Sequence, residues 1–270
     1  MKNLFALTLT LLALVVPALA QTDIDGTRTT DELRVSTDGQ VYSDGRNSVL
    51  GSIQETHRYT DKFAMRYLIN GGEYFAEPVA GGGLSLLVQP SHSTYFEASG
   101  LVNTHTDVYQ TWAVSLEAGT TVYRGEGFLK AVEWDYNQTM RGFGLYPYDT
   151  KAFIYTPRAI FYLPKNWDVM LHTGLVDIDS AGKHNPTPIG GIRLRIPVAR
   201  HAEFTASAGW DSEGLTNVQQ ILSLSTRNYG AGIKLWFTPT LSVEALGTTS
   251  LYTVNNLSGT TYGIAVIKRF

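Results

Sequence analysis

Glu133 and Asp135 stand two residues apart, a spacing that in an extended strand puts both carboxylates on one face. Their Cα atoms would then be roughly 6.6–6.8 Å apart, a separation that admits paired-carboxylate hydrolysis. A polar strand face generates such pairs by alternation alone, so the spacing by itself assigns no catalytic residue. The six histidines, His57, His92, His105, His172, His184 and His201, offer little more. None lies in an HExxH pattern, which removes the usual zinc-hydrolase arrangement, and there is no GxSxG nucleophile elbow. His92 adjoins Ser93 in the short stretch after Pro90, where a turn explains the pair; His105 lies in the polar run Asn103–Asp107. With no cysteine, thiol catalysis, disulfides and Cys-ligated metals are excluded together. Gly81–Gly83, Gly125-x-Gly127 and Gly230-x-Gly232 complete no phosphate-loop or dinucleotide pattern. No cofactor and no metal site is expected.

The elements that carry these residues are strands. After Ala20 helical periodicity is almost absent, and apolar–polar alternation recurs between Gly, Pro, Asn and Asp clusters. Val108, Trp112, Val114, Leu116, Ala118 and Val122 fall on one face, against Tyr109, Thr111, Ser115, Glu117 and Thr121. Ala202, Phe204, Ala206, Ala208 and Trp210 repeat the pattern, as do Tyr229, Ala231, Ile233, Leu235 and Phe237 against Asn228, Gly230, Lys234 and Trp236. Fourteen such stretches are expected: 33–42, 47–59, 63–76, 83–89, 94–103, 108–122, 127–137, 150–163, 168–177, 187–197, 202–211, 226–237, 241–254 and 259–270. Merging the weakest of them would leave twelve. Many are longer than the ~5–6 residues of ordinary soluble strands and match the ~9–11 that a tilted strand needs to cross a bilayer.

The two ends point the same way. Lys2, the apolar run Leu4–Val16 and the small-x-small site Ala18-Leu19-Ala20 read as a secretory signal over 1–20, removed before Gln21. A polar periplasmic lead is expected over 21–32, and the barrel over 33–270. At the other end Tyr262, Ile264, Val266 and Phe270 share one face of a closing strand, with Thr261, Gly263 and Ala265 on the other. That terminal pattern resembles the C-terminal assembly signal of Gram-negative outer-membrane β-barrels, with Lys268 departing from it. The resemblance implies the barrel assembly machinery as a partner and lipid with lipopolysaccharide as the surroundings. Only 17% of residues are charged and the net charge is −3, which gives no electrostatic footprint for nucleic acid.

Connection lengths agree with an all-β, antiparallel transmembrane barrel. Counting back from Phe270, the turns expected on its side are short, including Pro90–Ser93, Tyr123–Glu126, Pro164–Trp167 and Thr238–Thr240. The stretches 138–149, 178–186 and 212–225 are expected as longer loops on the other side. Tyr67, Tyr123, Trp167, Trp236 and Tyr252 lie near strand ends and fit interfacial girdles.

A Lys or Arg facing lipid at the midplane costs ~2–4 kcal/mol, so the charged face of each strand is assigned inward. This places Glu117, Glu133, Asp135, Arg158, Arg193, Arg195, Glu203, Asp211, Lys234 and Glu244 in the lumen. A regular hairpin near Gly125 would set Glu117 opposite Glu133, with Arg158 the nearest cation to separate them. Arg195 and Glu203 should approach across the turn near Arg200, and His172 is expected to face Arg158. Such a lumen fits an interior ion-pair network or a polar track for a solute.

Beyond the general barrel pattern, Tyr155-Thr156-Pro157-Arg158-Ala159-Ile160-Phe161-Tyr162, the Trp167 turn, the Gly190–Arg195 strand and Phe270 resemble the YaiO-like outer-membrane barrels. The likeness runs loosely over most of the chain past the signal. It implies an association with polysaccharide export and supplies no catalytic residues. The chain lacks the helical repeat domain of many export porins, so the resemblance also implies a separate periplasmic export partner. A narrow porin-like or export barrel is therefore the leading expectation. A plugged barrel presenting its loops to a partner comes next, and a lipid- or glycan-modifying enzyme last.

Overall fold

The computed structural model describes residues 30–104, 109–144, 150–212, 225–252 and 258–270; the expected signal at 1–20 and His105 lie outside them. Fourteen antiparallel strands close into one barrel. In chain order they are β1 (Glu32–Tyr42), β2 (Asn47–Thr60), β3 (Phe63–Tyr74), β4 (Glu77–Ser91), β5 (Thr94–Asn103), β6 (Gln110–Arg124) and β7 (Ala131–Phe143). Then follow β8 (Thr150–Tyr162), β9 (Asp168–Ser180), β10 (Lys183–Ala199), β11 (Ala202–Ser212), β12 (Ser225–Thr238), β13 (Leu241–Tyr252) and β14 (Ser258–Arg269). Each strand pairs with its sequence neighbours. Closure comes from β1 against β14, in register from Glu32↔Arg269 to Tyr42↔Gly259. The fourteen-strand reading holds and the twelve-strand alternative does not.

Strand lengths run from 10 residues in β5 to 17 in β10, longer than soluble sheets need. Alternation sorts the side chains. Ile69, Val102, Leu116, Trp210, Tyr262, Ile264 and Val266 point outward and are exposed, and Phe270 beyond the last strand is exposed too. Ser36, Ser52, Ser85, Asp135, Arg158, Asp168 and Lys234 point inward and are buried. The sheet is thus turned inside out relative to a soluble sandwich.

Boundaries differ most from the sequence reading at three places. β4 starts at Glu77, because Gly81 and Gly83 are inward strand positions and not a loop. β7 starts at Ala131 and runs to Phe143, so the hairpin after β6 is longer than expected, closed by Gly125 N–H donating to the Lys130 carbonyl (2.9 Å). The expected loop 178–186 is mostly strand: β9 and β10 are joined by Ala181 and Gly182 alone, both at positive φ (54° and 75°). Pro186 reads as loop punctuation, but this part of β10, with Pro186 and Pro188, pairs only with β9; β11 joins from Gly190 onward. A residue without an N–H is tolerated where one side of the strand has no ladder to complete.

The β3–β4 turn is equally tight and carries no glycine: Phe75 (φ 51°) and Ala76 (φ 68°) both occupy the left-handed region. Two-residue hairpins require such dihedrals, and L-residues other than Gly, Asn and Asp adopt them at a cost. Phe75 is held there by packing, with its ring centroid 4.4 Å from Tyr74 and 5.3 Å from Tyr42. Replacing Ala76 with Gly should raise the unfolding free energy by about 1 kcal/mol, the strain released at a single αL position. Phe75→Gly should lower it despite the same relief, since the ring contacts are lost. Denaturant titration of the folded barrel reads both signs; a Phe75→Gly variant as stable as Ala76→Gly would contradict the packing argument.

Candidate functional site: the interior charge belt

Inward-facing charges gather in the half of the barrel nearer the short-turn end, where Glu32 and Arg269 pair. Around the wall, Arg66 binds Glu97 (2.7 Å), Arg158 reaches Glu117 (3.4 Å), Arg193 reaches Asp168 (3.4 Å) and Arg195 binds Asp168 closely. Arg195 also reaches Glu203 (3.4 Å), and Glu244 takes both Lys234 (3.1 Å) and Arg34 (2.8 Å). Tyrosines fill remaining acceptor positions: Tyr95 donates to Glu117 (2.7 Å) and Tyr162 to Glu133 (2.9 Å). Asn137 also donates to Glu117 (3.1 Å). Ionised groups in a narrow interior need such partners, because an uncompensated buried charge is worth several kcal/mol of destabilisation.

Glu117, Glu133, Asp135, Arg158, Arg193, Arg195, Glu203, Lys234 and Glu244 therefore lie on the inward face. Asp211 is in register with Thr226; its side chain lies outside the described residues. The pair expected across the β10–β11 turn, Arg195 and Glu203, is present. So is the alignment of Arg158 with His172, which are cross-strand partners. The Glu117–Glu133 juxtaposition is corrected: Glu117 faces Asn137 and Glu133 faces Thr121. The six-residue connection 125–130 and a bulge between Thr121 and Tyr123 slide the two carboxylates apart. No cation between them is required.

Trp236 and Tyr252 are also corrected. Both face inward, and the Lys234 ammonium sits 4.6 Å from the Trp236 ring centroid. Trp236 shares the parity of Lys234, which the strand pattern already contained. Tyr67, Tyr123 and Trp167 are exposed. Sequence reasoning passed over Arg34, Arg66, Glu97 and Asp168. The first three were findable, since each is flanked by outward apolar residues (Leu33 and Val35, Met65 and Tyr67, Phe96 and Ala98). Asp168 opens β9 directly after a turn and resembled turn chemistry.

Filling of the interior is uneven. On β7–β9 the inward side chains, from Ala131, Ile160, Tyr162 and Met170 to Ala152, Ile154, Val176 and Ile178, are buried against one another. Across β11–β14 the mid-strand inward positions Ser207, Gly230, Gly232, Thr248, Thr261 and Gly263 are small and partly exposed, and inward Leu246 is 38% exposed. Space is therefore left along that wall. Near the long-loop end an aromatic chain narrows the interior: Tyr252, Tyr42, Phe75, Tyr74 and Tyr109 follow one another at centroid distances of 4.4–6.2 Å. Arg46 lies over Tyr42 and Phe75.

Among the described residues no group of three His, Asp or Glu is placed to hold a metal ion. His92 and Ser93 form the β4–β5 turn, as their sequence context implied. Glu133 and Asp135 share an inward face, and the former is held by Tyr162.

Asp168 carries the heaviest electrostatic role, being 1% exposed and shared by two guanidinium groups. Asp168→Asn should destabilise the barrel by about 3–5 kcal/mol, the effect of stripping the partner from buried cations. Asp61→Asn, at a 93%-exposed carboxylate paired with Arg58, should leave the unfolding midpoint unchanged. Equal midpoints for the two variants would show that the belt contributes nothing to folding.

No protein-family model matches the chain and no curated protein matches it, so the likeness to YaiO-like barrels rests on the short motifs alone. Solved structures do match. The CymD monoaromatic hydrocarbon channel aligns at a TM-score of 0.53 with 11% identity, over 95% of this chain and 91% of its own. Omp33, an outer membrane protein of Acinetobacter baumannii, aligns at 0.53 with 13% identity over 90% and 99%. A Pseudomonas aeruginosa FadL homologue aligns at 0.55 with 8% identity over 89% and 90%. At such identities the likeness is one of architecture: this chain has the closed antiparallel barrel fold that outer-membrane proteins use.

Proposed function

We propose that the protein is an integral outer-membrane barrel that passes a small polar solute along its inner wall, with the short-turn end in the periplasm. The observation that carries this reading is the inverted sheet: apolar side chains exposed outside, ion-paired charges inside. Such an exterior in water would present far more contiguous apolar surface than soluble monomers tolerate. In hydrocarbon it costs nothing, and around the middle of the wall the backbone hydrogen bonds of the described strands are made within the closed sheet. A barrel of this size lies between eight-stranded forms packed solid and sixteen-stranded forms with an open channel. The small inward residues of β11–β14 supply the path, and Arg158, Arg193, Arg195 and Lys234 face acidic residues along it. The outward surface is read as meeting lipid and lipopolysaccharide. An export role for a polysaccharide, with a periplasmic partner, extends this reading and is carried only by the YaiO-like motifs.

A second reading follows from the aromatic chain Tyr252–Tyr42–Phe75–Tyr74–Tyr109: a barrel plugged near its long-loop end that presents its loops to a partner. Single-channel recording of the refolded barrel in a planar bilayer separates the two. A channel gives steady conductance, and Arg158→Gln or Arg193→Gln shifts its ion selectivity toward cations. Unchanged selectivity in both variants would remove the polar track, and a folded but silent barrel would favour the plugged form.

A further inference from the structure

On the inward face of β8, β9 and β10 from Gly191 onward, the charged residues are Arg158, Arg193, Arg195 and, against them, Asp168. Asp168 is bound closely by Arg195, which holds Glu203 as well. Arg193 is left with one long contact to Asp168 (3.4 Å), and its Nε is buried with no hydrogen-bond partner. Arg158 has one long contact, to Glu117 (3.4 Å), and is 6% exposed. Asp135 is in register with Arg158, and its Oδ1 lies over Gly119 of β6, where any side chain would collide with it. Glu133 is taken by Tyr162.

Between the two arginines stands His172. It is the cross-strand partner of Arg158 on one side and of Gly191 on the other, and Arg193 is the next inward residue after Gly191. The missing side chain at 191 seats the imidazole: a Cβ there would lie 2.8 Å from His172 Cε1. His172 Nδ1 is out of contact with solvent and has no partner. Arg193 is in register with Ser207 on β11, a small residue beside the space along β11–β14. Arg158, His172 and Arg193 thus occupy adjoining inward positions, where Arg193 Nε and His172 Nδ1 both lack a partner. Donors left unmatched in a low-dielectric interior are costly, and a planar guanidinium fork fits a carboxylate or phosphate.

We propose that Arg158, His172 and Arg193 form a binding site for a compact oxyanion, the carboxylate or phosphate group of a small solute, on the inner wall of β8–β10. The site rests on the reading of the interior as a solute path. With its proton on Nδ1, His172 donates between the two arginines, and Arg193 supplies the Nε–H that the protein leaves unused.

Isothermal titration of the refolded full barrel at low salt, with inorganic phosphate and with benzoate as probes, tests this directly. Saturable binding of at least one probe is expected, and which one binds separates phosphate from carboxylate recognition. Arg193→Gln and His172→Leu should each weaken it about tenfold or more, the effect of losing one charge-assisted hydrogen bond. Arg193→Lys, which retains the charge and the fold but lacks the fork, should fall between. Lys151→Gln, a loss of one exposed charge on the outward face of β8, should bind as the parent does. Failure of both probes to bind, or equal weakening by Lys151→Gln, would overturn the site. Binding by a barrel that passes no current would keep the site and remove the channel. Current without binding would keep the channel and remove the site.

Discussion

Everything in this molecule depends on closing the backbone hydrogen-bond ladder on itself. An open sheet has two edges whose N–H and C=O groups need water or another chain. Here the pairing of β1 with β14, from Glu32↔Arg269 to Tyr42↔Gly259, leaves no such edge along the wall. Once the ladder is complete, the exterior needs no polar group, and the strands can expose Ile69, Val102, Leu116 and Ile264. Charge is then driven inward. The ion-pair belt is a consequence of closure, since Glu and Arg residues on the remaining face must find partners across the barrel.

The belt also explains the distribution of glycines and tyrosines. Gly119 leaves room for Asp135 and the ring of Tyr95, and Gly263 for the carboxylate of Asp38. Inward glycines are therefore seats for the longer side chains of neighbouring strands. Toward the long-loop end the filling changes from charge to aromatic and aliphatic packing, with Phe143, Ile154 and Val176 in one cluster and Tyr42 with Tyr252 in another. A strained turn at Phe75 and Ala76 is tolerated because the Phe75 ring belongs to that packing.

Much of the architecture was legible because strand alternation is a local property. Each of the fourteen stretches read from period-two patterning corresponds to a strand, and even Trp236 could have been placed inside by the parity it shares with Lys234. Boundaries failed where local chemistry imitated a loop, at the glycines of β4 and around Pro186 of β10; the inward role of Asp168 was hidden in the same way, although the start of β9 was placed correctly. The pairing of charges was less readable. Register across β6 and β7 depends on a bulge and a six-residue connection that no local pattern announces, and this separated Glu117 from Glu133. Which arginine takes Asp168 is decided by three strands at once. Such choices belong to the closed barrel and to no segment of it.

A barrel with lipid outside and an aqueous or polar space within gives the two faces of each strand different media. The chain has no cysteine, so single cysteines can be placed without background. Spin labels at Thr261→Cys, inward on β14, and Ile264→Cys, outward on the same strand, should be compared in vesicle-inserted protein. The label at 264 should collide mainly with dissolved oxygen, which concentrates in lipid, and the label at 261 mainly with a water-soluble nickel chelate. Preferential collision with the chelate at position 264 would contradict this arrangement.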